Sequence, residues 1–104
     1  METVNEKSVA VLTLLFKDED GALINPSTAS YRVDDKSSGS NIAAATTINP
    51  VDGMYDIVIT AAQNAIVDSA KVFETKVVTV SWTYGTGDAN AEYEYRVKNL
   101  LKVI

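Results

Sequence analysis

The chain has 104 residues, 46% hydrophobic and 22% charged, which fits one folded domain and excludes both general disorder and two separately cored domains. Its net charge of −5 and pI of about 4.5 repel phosphate backbones, so no nucleic acid is expected as a partner. Cysteine and histidine are both absent, which excludes disulfides, thiolate nucleophiles, imidazole bases and Cys/His zinc sites.

In chain order, "KSVAVLTLLF" (7–16) predicts the first strand. It is too short to span a bilayer, which needs roughly 20 apolar residues. It is also a poor secretion leader. The preceding "METVNEK" is net acidic, and no small-residue cleavage site follows. Synthesis in the cytoplasm without a signal peptide, and no membrane partner, are the expectations. "KDEDGALINPS" turns at Asp20-Gly21 and Pro26. "ASYRVDD" (29–35) predicts the second strand, with Ala29, Tyr31 and Val33 on one face and Ser30, Arg32 and Asp34 on the other. "KSSGSN" (36–41) has no apolar anchor and predicts a loop. "IAAATTI" (42–48) predicts a weak strand ending before Pro50.

Asp52-Gly53 predicts a turn, followed by a strand with Tyr55, Ile57 and Ile59 facing inward. "AAQNAIVDSAKVFE" (61–74) is ambiguous between a short helix, allowed by its alanines, and an irregular crossing with one short strand; the second is expected. "VFETKVVTVSWTYG" (72–85) and "AEYEYRVKNLL" (91–101) predict two long strands joined through "GTGDAN". This pattern of about seven strands predicts an all-β, two-sheet antiparallel sandwich of immunoglobulin-like architecture, with small barrels as the main competitor. No repeat or linker divides residues 1–104, so a single domain with a short apolar C-terminal tail is expected.

The last two strands carry a cluster of rings. Val78, Val80, Trp82 and Tyr84 share a face, as do Tyr93, Tyr95 and Val97. These faces must coincide on pairing, because a one-residue slip would bury Glu92, Glu94, Arg96 and Lys98. The rings therefore predict core, with Trp82 buried, rather than an exposed platform for sugar or peptide.

No catalytic, cofactor-binding or metal-binding residue is expected. Asp18 and Asp20, with Glu19 between them, lack the further carboxylates and closing Glu of a calcium loop. The aspartates at 34, 35 and 52 fare no better. Glu92 and Glu94 alternate with Arg96 and Lys98 on a solvated face, which suits a surface and not acid–base work. "GTGDAN" has no following helix to cradle phosphate. An enzyme is not expected.

The first strand is unusual in being apolar on both faces. Ala10, Leu12, Leu14 and Phe16 would serve the core, leaving Val9, Val11 and Leu15 pointing outward. The tail adds Leu101, Val103 and Ile104. First and last strands adjoin in immunoglobulin-like sandwiches, so these two sets are expected to form one partner surface, the alternative being that the tail folds back to cover the first strand within the monomer.

The stretches "VAVLTLLFKDEDGALINPSTASYRVDD", "NAIVDSAKVFETKVVTVSWTYG" and "EYEYRVKNL" resemble a group of small immunoglobulin-like proteins encoded in phage and prophage structural gene regions. The resemblance runs over 9–100 and rests on the strand-plus-"KDEDG" opening, the Pro-containing turn before "YRVDD", the "NAIVD" crossing and the "YEYRVKNL" ending. None of these is a catalytic motif. The resemblance implies a virion structural role, decorating the capsid or serving the neck or tail. The partners it implies are other virion proteins: capsid, neck or tail subunits, and further copies of the chain. A surface adhesion or carbohydrate-binding module is the alternative.

Overall fold

The computed structural model describes residues 2–18, 20–68, 70–84 and 87–100. It is all-β. The strands are β1 (Glu2–Asn5), β2 (Ala10–Leu15), β3 (Thr28–Asp35), β4 (Asn41–Ile48), β5 (Met54–Ile59), β6 (Phe73–Tyr84) and β7 (Gly87–Lys98). One sheet has the order β1-β7-β6-β3-β4, and the other holds β2 and β5. The two pack face to face as a sandwich. Its strand order is immunoglobulin-like, with the first strand beside the last in one sheet and a β2–β5 pair in the other.

Period-two alternation builds this fold. β2 and β5 pair antiparallel, setting Leu12 against Ile57 and Ala10 against Ile59. Ile57 and Ile59 are buried, and meet Val33, Val78, Val80, Tyr95 and Val97 from the other sheet in one core. Asp52 and Gly53 both have positive φ, 52° and 74°, as a two-residue hairpin turn of matching twist requires. Val51 and Met54 close that turn with two backbone hydrogen bonds.

The β6–β7 pair has the predicted register. Val78 lies opposite Tyr93 and Trp82 opposite Ala89, so the ring-bearing faces coincide. Tyr95 is buried, but Trp82 is only half-buried and Tyr93 is exposed at its edge. The expected burial of Trp82 is thus corrected. Its ring packs edge-on against Phe16, 5.5 Å between centroids, at a corner that no further strand covers among the described residues.

Three elements differ from expectation. β1 is polar and short, with no alternation to reveal it. It joins β7 in parallel, Glu2 opposite Tyr95 and Asn5 opposite Lys98. The strand predicted over 7–16 begins only at Ala10 and lies in the other sheet from β7. The crossing between β5 and β6 holds neither helix nor strand among its described residues. Side chains take over the work of a ladder there. Asn64, fully buried, donates from Nδ2 to the Ser8 carbonyl and accepts from the Tyr95 hydroxyl on Oδ1. Glu74 accepts the backbone N–H groups of Val67 and Asp68.

Candidate protein-docking surface

β2 and β5 form a two-stranded sheet whose inner face is core and whose outer face is mostly apolar. Opposed across it are Val11 and Val58, Thr13 and Asp56, and Leu15 and Met54. Val9 precedes β2 on the same side. Exposures are 59% for Val9, 57% for Val11, 52% for Leu15, 45% for Met54 and 54% for Val58. The polar interruption is satisfied within the sheet, Thr13 Oγ1 donating to Asp56 Oδ1 over 2.6 Å. Alternation forces this arrangement. With Leu12, Leu14, Ile57 and Ile59 turned to the core, their neighbours must face water.

Three predicted interface residues, Val9, Val11 and Leu15, therefore share one exposed face. The other three, Leu101, Val103 and Ile104, lie outside the described residues. The expected adjacency of this strand to the last one is corrected. β2 pairs with β5, and the strand beside β7 is β1, because the chain crosses between sheets over 6–9. Met54 and Val58 complete the stripe and were legible in the alternation of "MYDIVI", whose inward set also names its outward one.

The sandwich is open along one side. A cleft of about 110 Å³ lies between β2 and the β6–β7 face, lined by Leu14, Phe16, Val80, Trp82, Ala91 and Tyr93, with Leu15 and Glu92 completing its wall. The outer face of the five-stranded sheet is polar instead. A ledge of about 260 Å³ there is bordered by Thr28, Ser30, Ser81, Thr83, Asp88 and Asn90. Two pairs of its groups satisfy each other. Thr28 and Thr83 share a 2.8 Å hydroxyl hydrogen bond, and Ser81 donates to Asn90 Oδ1.

Several of the acidic groups weighed for chemistry are engaged structurally. Asp18 Oδ1 accepts the backbone N–H groups of Asp20 and Ala22, making its own turn. Glu94 pairs with Lys36 at 2.7 Å on the surface. Arg32 holds Asp34 through two nitrogens, and that hydrogen-bonded guanidinium lowers the Asp34 carboxyl below its ordinary range. Among the described residues no group of three His, Cys, Asp or Glu side chains gathers as a metal site would require.

One charged cluster is buried. Lys76 on β6 lies 3.1 Å from Asp35 and 2.9 Å from Glu74, all three shut away from solvent. Burial opposes both carboxylates. For Asp35, hydrogen bonds from Ser38 and Lys76 outweigh it; for Glu74, those from Val67, Lys76 and Asp68 do. Both carboxyls end below the usual range and ionised. With every Asp35 and Glu74 oxygen accepting a hydrogen bond, the cluster is a staple between strands and crossing, without a free acid or base.

No family model matches the sequence, and no curated protein or solved structure matches the chain.

Proposed function

We propose that the chain is a bacteriophage virion structural protein without enzymatic activity. In this reading it is an immunoglobulin-like accessory or decoration protein of the capsid, binding virion subunits through exposed apolar surface. The single observation that carries the docking part is the stripe of Val9, Val11, Leu15, Met54 and Val58 on the β2–β5 sheet. A small domain gains nothing from exposing such a row to water, and contiguous apolar patches mark partner surfaces. Covering each of these half-exposed side chains contributes about 1 kcal/mol or more. The virion part is supported by the resemblance of 9–100 to phage structural-region proteins. A place at the neck or tail uses the same surface chemistry.

The carbohydrate-binding alternative has the hydroxyl ledge in its favour. Of the rings nearest that ledge among the described residues, Trp82 packs edge-on against Phe16 and Tyr95 is buried on the opposite side of the sheet.

The test is attachment. Particles assembled with this gene deleted from the encoding phage are mixed with the purified chain and imaged by electron cryomicroscopy. Regular added density supports the reading. Val11→Lys and Val58→Lys should abolish that density while leaving the melting temperature nearly unchanged. A chain that stays wholly in the soluble fraction, or Lys variants that bind as wild type does, overturns it.

A further inference from the structure

Two strand edges border the apolar cleft, and among the described residues no strand covers either. β1 pairs with β7 only from Tyr95 to Lys98. Over 87–94, β7 has β6 on one side and no strand on the other among the described residues. β2 has β5 on one side and likewise no strand on the other. Constant-type immunoglobulin sandwiches carry a strand along that edge. Its lack here leaves a signature in burial. Leu12 and Leu14 face inward yet are only half-buried, and Tyr93, on the inward face of β7, is 37% exposed. A bare edge offers a row of unpaired N–H and C=O groups, and an apolar cleft beside it offers pockets for alternate side chains. Those are the two requirements for recognition by strand addition.

The charge around the cleft selects the occupant. Glu2 accepts a 3.0 Å hydrogen bond from the hydroxyl of Tyr93, which lines the cleft, whereas Glu92, opposite Thr79, carries its carboxylate on the outer face of that sheet. The whole chain is at −5. A second copy would bring its own Glu2 and the same net negative charge against this one, so self-pairing is disfavoured.

We propose that an extended segment of a partner protein adds to the edge of β2 that no described strand covers, with apolar side chains in the cleft over Tyr93 and Trp82 and Lys or Arg beside Glu2. The segment hydrogen-bonds to β2 through its backbone, and every second side chain fills the cleft. This site is separate from the outer stripe of β2 and β5. It shares with the docking reading only the class of partner, another protein chain.

Trp82 is the sole tryptophan and lines the cleft, so its fluorescence reports occupation directly. Three synthetic probes separate the parts of the proposal. The first is a nine-residue peptide of alternating Val and Thr with Lys at both ends. The second carries Glu in place of Lys. The third keeps Lys but is N-methylated at alternate backbone nitrogens along one edge, made in both phases. With the full chain at low salt, the Lys-ended peptide should move Trp82 emission to the blue in a saturable titration. The Glu-ended peptide should bind at least about tenfold more weakly. One of the two N-methylated phases should not bind. Tyr93→Lys should block the Lys-ended peptide, while Val58→Lys should bind it as wild type does. If Tyr93→Lys does not fold, Ala91→Phe, which fills the cleft from an exposed position, gives the same readout. The proposal is overturned by no shift up to about 1 mM peptide. Full binding of both N-methylated phases, indifference to the cleft variants, or self-association that excludes the peptide also overturns it. Because Val58→Lys should lose particle attachment and keep the peptide, failure of this site and failure of the docking stripe are read separately.

Discussion

Lys76 and Asp35 stand directly opposite each other on β6 and β3, Nζ 3.1 Å from Oδ1, with Glu74 on the other side of the ammonium at 2.9 Å. Two carboxylates thus share one cation inside the sandwich. Such a cluster is costly to bury and more costly to break, because removing one member strands the others without a counter-charge.

Lys76→Met should therefore cost about 3–5 kcal/mol at neutral pH, read from urea unfolding followed by Trp82 fluorescence. A loss below about 1 kcal/mol would mean that water reaches the cluster. Replacing all three members together with apolar residues should be far milder than Lys76→Met alone.

The pH dependence follows from the direction of the shifts. Asp35 and Glu74 have folded-state pKa values below their ordinary ones, so the unfolded chain binds more protons in acid. Their contribution is complete above the usual carboxylate range, near 4, and is lost as pH falls below it. Melting temperature should drop on that acid limb. In Lys76→Met the sign should reverse. Two buried carboxylates without a cation favour a proton, and mild acid should then raise the melting temperature. Calorimetry between neutral pH and the acid limb checks both.

Burial pushes the Tyr95 phenol well above its usual range, and its hydroxyl donates to Asn64 Oδ1 at 2.7 Å. The neutral form is the one the fold accepts. Stability should be complete below the unfolded value near 10 and decline as pH rises beyond it. Tyr95→Phe should flatten this residue's part of the alkaline limb. It should also cost about 1–3 kcal/mol at neutral pH, because Asn64 Oδ1 is left buried and unpaired. A cost near zero in urea titration would show that another donor replaces the phenol.

Gly53 has φ of 74°, and a Cβ there would meet the Ile24 backbone nitrogen and oxygen at 3.0 Å. The left-handed conformation alone costs an L-residue about 1–2 kcal/mol. Gly53→Ala should lose at least that much, since rigid backbone cannot yield as a side chain does. Gly39, also at positive φ but in open space, should lose only the conformational part on the same substitution. Equal losses in paired urea titrations would show that the close approach to Ile24 carries no weight.

Which way each side chain points was legible wherever a strand ran long enough to alternate. The even positions of β6 face inward, and counting back from Val78 on that face names Lys76 and Glu74 as readily as counting forward names Val80 and Trp82. The same parity on β3 names Asp35 after Val33, and on β5 it yields the outward Met54 and Val58 along with the inward Ile57 and Ile59. Alternation is a property of one strand, so the chain alone determines it. Which strands become neighbours is not local. Only the tertiary structure set Asp35 against Lys76 across 41 residues, placed β2 with β5 instead of beside β7, and recruited the polar β1 to the end of β7. The crossing at 61–72 stayed ambiguous for the same reason. Two of its backbone N–H groups, of Val67 and Asp68, are held by Glu74 at the start of β6, and Asn64 ties it to the distant Ser8 and Tyr95, contacts that no local periodicity encodes. The open side of the sandwich is a product of topology as well. Among the described residues, two edges on different sheets are left without a partner because β1 is short and joins β7, and no described strand covers the cleft over Tyr93 and Trp82.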